Sequence, residues 1–128
     1  MAGFKGTGET IVPRIDRSVV ESLIGMLGSD SVHAFIAEFL EQAGSQRGLL
    51  EAAYQSGDNE TLYRESHNLV STAGNLGVKR TSRLADAVQV AVRLEDTEAI
   101  GPAVKALLTE LDAMVDELPA LIDEAVAA

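Results

Sequence analysis

Apolar residues recur at three- and four-residue intervals from Ile15 almost to the end of the chain, and nothing resembles a run of alternating strands. Helices are the only regular structure that suits this period, and the punctuation falls where helices start and stop. Asp16 is placed to cap a first helix carrying Ile15, Val19, Leu23, Met26 and Leu27, which Gly28 ends. Ser29 or Asp30 then caps a long second helix with Val32, Phe35, Ile36, Phe39, Leu40, Ala43, Leu50 and Tyr54 inward, locally weakened by Gly44 and Gly48. Gly57-Asp58 separates it from a third helix over Asn59 to Asn75, and Gly77 separates that from a fourth over about Lys79 to Glu95. The last stripe is Ile100, Val104, Leu107, Leu108, Leu111, Val115, Leu118 and Ile122. Its helix opens at Asp96 or Thr97, with Gly101-Pro102 delaying the regular part and Pro119 kinking it or starting a separate final turn.

Each helix has one apolar stripe and a polar remainder, so each must bury its stripe against the others. Connections of about two to five residues favour antiparallel neighbours. The expected fold is therefore all-α, an antiparallel up-down four-helix bundle with a short additional N-terminal helix packed across one end. The 128 residues suffice for one core. Residues 1–13, rich in Gly and Thr and closed by Pro13, are expected as a flexible leader, and 14–128 as a single helical domain.

Charge and composition exclude several functions. Twenty acidic residues against ten basic ones give a net charge of −10, the wrong sign for neutralising phosphates of a duplex. Few aromatics and no Trp leave no stacking surface for single strands. Cysteine is absent, which removes disulfides, thiolate zinc and a thiol nucleophile. Gly6-Thr7-Gly8 is no phosphate loop, lacking a preceding strand and the lysine-serine ending. No apolar run reaches the roughly 18 to 20 residues that span a bilayer, and the N-terminus shows no signal-peptide pattern. A cytoplasmic protein without membrane or nucleic-acid partners is expected, and one complete bundle needs no second copy to close its core.

The third helix carries the chemistry. At about 100° per residue, Leu62, Ser66, Leu69, Ala73 and Leu76 share the core direction and His67 points roughly 140° away from it. Val70, Ser71 and Gly74 stand on the face of His67. An outward imidazole among small side chains suits a nucleophile that reaches into another protein's cleft. Ser71 and Gly74 let a second backbone approach, and Val70 adds a partly exposed apolar contact. Between Thr61 and Ala85 the bases Arg64, Lys79, Arg80 and Arg83 face the single acid Glu65, a local surplus of +3 that fits an anionic visitor.

The segment His67-Asn68-Leu69-Val70-Ser71-Thr72-Ala73-Gly74-Asn75-Leu76-Gly77 resembles the phosphohistidine segment of the histidine-containing phosphotransfer (Hpt) domain family, approximately H-x-L-K-G-[SA]-[SA]-x-x-L-G. His67, Leu69, Ala73, Leu76 and Gly77 match it, and Thr72 nearly does. Leu27-Gly28-x-Asp30, Phe39-Leu40 and Gly57-Asp58 fit the flanks, so the resemblance spans about residues 15 to 118. It implies that His67 takes a phosphoryl group from an aspartyl phosphate on a response-regulator receiver domain and donates it to another, on the nitrogen farther from the backbone. Receiver domains, a hybrid histidine kinase, or both are the implied partners. The magnesium would sit on the receiver, with no metal or cofactor on this chain. Val70 and Ser71 replace the family's lysine and glycine. The missing lysine is thought to hold phosphoryl oxygens, so Arg64, Ser71, Lys79 and Arg83 are the candidate substitutes, and Val70, Ser71 and Gly74 with neighbours from the second helix the candidate docking patch. The alternative is a degenerate Hpt-like module that binds receivers without being phosphorylated; a plain helical adaptor is a third reading.

Other candidates are plainer. His33 lies at the edge of the second helix without H-x-x-x-H or E-x-x-H partners for a metal. Glu38, Glu41 and Glu51 read as solvated charges, as do Glu110, Asp112, Asp116, Glu117, Asp123 and Glu124 on the last helix. Met26 and Met114 read as core filler. A sensor-kinase dimerisation domain is disfavoured, because its histidine is followed by an acidic residue and a downstream proline, both missing here.

Overall fold

A computed structural model of the chain describes residues 12–127, and the expected leader up to residue 11 lies outside the described residues. Five helices follow one another: α1 (Arg17–Leu27), α2 (Ser29–Ser56), α3 (Asn59–Asn75), α4 (Lys79–Arg93) and α5 (Thr97–Ala127). Helix α3 packs on α4 and α4 on α5, while α2 closes the ring against α3 and α5. Tyr54 meets Gly101 at one end of the α2–α5 pair and His33 meets Asp123 at the other, so these helices run antiparallel. The first helix lies against α2 and α5, with Val19 and Val20 over Gly77. No helix among the described residues is long and apolar enough to cross a membrane.

Local chemistry sets most boundaries. The Asp16 carboxylate accepts from Ser18 N at 3.1 Å and Asp58 from Thr61 N at 3.1 Å, each capping a helix. Gly28, at φ 88°, is the whole α1–α2 connection, so Ser29 already lies inside the helix it was expected to cap. Helices α2, α3 and α4 end alike. The N–H groups of Asp58, Val78 and Asp96, two or three residues past the ends, donate back to Ala53 O, Ala73 O and Ala91 O, at 2.8, 2.8 and 3.0 Å. That motif needs a left-handed residue, supplied by Gly57, by Gly77, and after α4 by Glu95 at φ 55°. A glutamate in that place gives no stop signal, which is why the periodicity carries α4 two residues too far.

Helix α5 corrects the reading of Gly101 and Pro102. It starts at Thr97, capped by Asp96, whose carboxylate accepts from Ala99 N at 3.2 Å, and it continues without interruption past Pro102 and Pro119. Gly101 serves packing: a Cβ there would stand 2.6 Å from the Tyr54 hydroxyl. Leu50, Leu62, Leu69, Leu107, Met114, Leu118 and Ile122 are the large, fully buried side chains of the core. Met26 is 73 % exposed instead of filling it, and Val20, outside the expected stripe, is the buried residue of α1. That helix is apolar around most of its circumference, so period alone does not choose its face. Phe35, Tyr54 and Val115 are likewise exposed at the margins of their stripes.

Glu110 is only 6 % exposed and is no solvated charge. The Arg14 guanidinium clasps it through Nε at 2.5 Å and Nη2 at 2.9 Å and also reaches Glu117. These acceptors raise the Arg14 pKa, the Glu110 hydrogen bond foremost. Arg80 stands 3.6 Å from Glu110 and donates to Val12 O at 2.8 Å, which fastens the chain before α1 to α4 and α5.

Candidate functional site around His67

Leu62, Ser66, Leu69 and Ala73 turn inward from α3 and are buried, and His67 stands exposed on the side toward α4. Ser66 is reconciled with the core by donating its hydroxyl to Leu62 O at 2.7 Å. The imidazole is held twice. Its ring stacks on Tyr63, one turn back, with centroids 5.9 Å apart and planes 8° from parallel. Its Nδ1 lies 3.0 Å from Gln89 Oε1 on α4. A carbonyl oxygen only accepts, so Nδ1 is the donor in this contact, and in the neutral ring the lone pair is then on Nε2.

The neighbours divide into two groups. Val70 is half-buried and its carbonyl accepts from Ser82 Oγ at 2.9 Å; Ser71 is exposed. A Cβ on Gly74 would meet Ser82 Oγ at 3.4 Å, so the small residue there serves the α3–α4 contact as well as leaving the surface open. The expected basic cluster is dispersed. Arg64 is 57 % exposed and lies over Glu65 Oε2 and Thr61 Oγ1, each at 3.4 Å. Lys79 and Arg83 line a depression with Asp16, Val19, Gly74 and Gly77. Gly74 is seven residues from His67, or about 10 Å along the helix. Arg80 is engaged with Glu110 and Val12 on the other side of α4.

Tyr63 and Gln89 escaped the sequence reading, as did the burial of Glu65, which lies 3.5 Å from Gln46 Nε2. One signal for Gln89 was present: a tight turn makes α3 and α4 antiparallel neighbours, and counting outward from Gly77 sets position 87 opposite position 67, within one turn of Gln89. On the opposite flank of the bundle, His33 Nδ1 donates to Ser29 O at 2.9 Å and Nε2 pairs with Asp123 at 2.9 Å. The Asp123 hydrogen bond, ahead of the Ser29 carbonyl, raises the His33 pKa above its ordinary value. Its ring is thus an ion-pair partner between α2 and α5.

A shallow groove between α2 and α3 continues the exposed side of α3. Phe35, Phe39, Thr72, Asn75 and Leu76 line it, and Phe35 is 42 % exposed there. The site therefore combines a restrained imidazole with an open nitrogen, a small-residue rim and an adjoining apolar groove.

No curated protein and no solved structure matches the chain. The Hpt domain model matches residues 34–124, about seven-tenths of the sequence, from the second turn of α2 nearly to the end of α5 with His67 inside. The chain belongs to the Hpt domain family.

Proposed function

We propose that this protein is a phosphohistidine carrier between receiver-domain aspartates, with Nε2 of His67 as the phosphorylated atom. Membership of the family places the chain in two-component phosphorelay chemistry, as a carrier rather than a classical enzyme. The observation that supports His67 most strongly is the contact of its Nδ1 with Gln89 Oε1, because a neutral ring that donates there has its lone pair on Nε2.

The Nε2 lone pair attacks phosphorus in line with the aspartyl oxygen. The N–P bond forms as the P–O bond breaks, and the aspartate leaves as a carboxylate. Nδ1 keeps its hydrogen throughout and donates it to Gln89, so no base is required on this chain. Phosphoryl transfer is mostly positioning and charge neutralisation, and the receiver supplies the magnesium. Tyr63 and Gln89 position the ring. Val70, Ser71 and Gly74, with the α2–α3 groove around Phe35, form the docking face for the receiver. Receiver domains, a hybrid kinase, or both are the partners, met by a monomeric bundle in the cytoplasm.

Valine at position 70 favours one second reading, a module that binds receivers without carrying phosphate. Incubation with a receiver charged from labelled acetyl phosphate separates the two. The carrier acquires acid-labile label that His67→Ala abolishes, whereas a pure binding module forms the complex and acquires none.

A further inference from the structure

We infer that Arg93 supplies the cation that holds the phosphoryl group on His67, in place of the charge that Val70 lacks. The inference rests on the carrier reading above and identifies a further phosphoryl-binding residue at the same site.

Two contacts hold α3 beside α4 along this face: His67 Nδ1 to Gln89 Oε1 at 3.0 Å, and Ser82 Oγ to Val70 O at 2.9 Å. Arg93 is four residues beyond Gln89, on the same face of α4 and about 6 Å along its axis. Counted outward from Gly77 it comes opposite position 61, half a turn beyond Tyr63, the residue on which the His67 ring stacks. Direction decides between the available cations. Side chains on a helix lean toward its N-terminus. From position 93 that lean runs back toward Gln89 and the imidazole. From Arg64, on α3, it runs away from His67, and the contact of its guanidinium with Thr61 agrees. Lys79 and Arg83 lean toward the Gly77 turn, already about 9 Å or more from the level of Gln89. Arg80 is engaged by Glu110.

Arg93 is exposed, and it makes no ion pair among the described residues. The other charge on this face of α4 is Asp86, a short side chain one turn toward the Gly77 turn and leaning away. The His67 ring leans toward its own N-terminus, as its stack on Tyr63 records, so a phosphoryl group on Nε2 is delivered toward the level of Arg93. A guanidinium there can donate two parallel N–H bonds to phosphoryl oxygens, while the N–P bond forms and the donor's leaving group departs as described above.

The test uses the full chain and phosphoramidate, a small donor that needs no docking; its P–N bond breaks and ammonia leaves as the bond to Nε2 forms. Acid-labile phosphate is followed with time at low and high salt. Arg93→Ala is expected to slow labelling about tenfold or more, the effect of one lost charge-assisted hydrogen bond, and to do so at both salt concentrations. Adding Val70→Lys to Arg93→Ala is expected to restore the rate, and Lys105→Ala, a distant exposed control, to leave it unchanged. The inference is overturned if Arg93→Ala labels within twofold of the wild type, if Arg64→Ala or Arg83→Ala is the slow variant instead, or if every charge removal slows labelling equally and only at low salt. Absence of label on the wild type, indistinguishable from His67→Ala, overturns the carrier reading itself and the inference with it.

Discussion

Replacing Gln89 with leucine tests how the imidazole is prepared for attack. The substitution keeps the volume and removes the acceptor that lies 3.0 Å from His67 Nδ1. A neutral hydrogen bond contributes roughly 0.5–1.5 kcal/mol net, and at a half-buried residue such as Gln89 about 1 kcal/mol is the appropriate figure. Without it the ring samples the other tautomer, whose lone pair is on Nδ1 against the helix. At about 1.4 kcal/mol per tenfold, the population with Nε2 open falls roughly fivefold, and the transfer rate with it. The stack on Tyr63 survives, which bounds the loss below about tenfold; Tyr63→Leu added to Gln89→Leu removes that restraint, worth about 0.5–1.5 kcal/mol, and deepens it. The assay is the initial rate of label transfer from a charged receiver, with the phosphorylated nitrogen assigned by 15N NMR and folding checked by thermal melting. A variant that transfers at the wild-type rate, with all phosphate still on Nε2, refutes the reasoning.

Glu95→Gly removes the one left-handed non-glycine residue among those described and should stabilise the protein by about 1 kcal/mol, seen as a rise of roughly 3–5 °C in Tm. Arg14→Ala leaves the Glu110 carboxylate buried with only Arg80 nearby, and should cost about 3 kcal/mol in denaturant titrations; Arg14→Met with Glu110→Leu should recover most of it. Leu69→Ala opens a fully buried site under His67 and should cost about 2–5 kcal/mol by the same measurement. The His33 pKa is raised in the folded state, so its pair with Asp123 stabilises fully below the ordinary histidine value of about 6.5 and is lost as pH rises through the raised one. The denaturation midpoint of the wild type should therefore fall over that interval, and His33→Gln should abolish the fall.

Helix starts and stops were legible wherever one residue carries the signal: Asp16 and Asp58 as caps, Gly57 and Gly77 as left-handed ends. Legibility failed where a signal had two meanings. Gly101 marks a break by propensity, yet it stands under Tyr54 in the middle of a continuous turn. Glu110 looks like any helix-surface acid, and only Arg14, nearly a hundred residues earlier, makes it a buried one. The outward direction of His67 followed from the stripe of its own helix. The tautomer of its ring depends on Gln89, and no pattern within one helix specifies what its neighbour presents.

Charge summed along a chain differs from charge delivered to a point. The surplus of +3 between Thr61 and Ala85 predicts a basic field at His67. In the fold, Arg80 is engaged by Glu110, Arg64 lies over Glu65, and Lys79 and Arg83 share a depression with Asp16 at the far side of Gly74. Coulomb attraction between exposed groups about 10 Å apart is largely screened at physiological salt, so those cations chiefly steer the encounter and hold little at the moment of transfer. A lysine at position 70 would have leaned from α3 directly over the histidine, one turn away. With valine there, the inferred phosphoryl-binding charge would come across from α4, where the helix direction that leans Lys79 and Arg83 toward the Gly77 turn leans position 93 back toward Gln89. On the carrier reading, the same backbone rule separates the cations that would steer a receiver from the one inferred to hold its phosphoryl group.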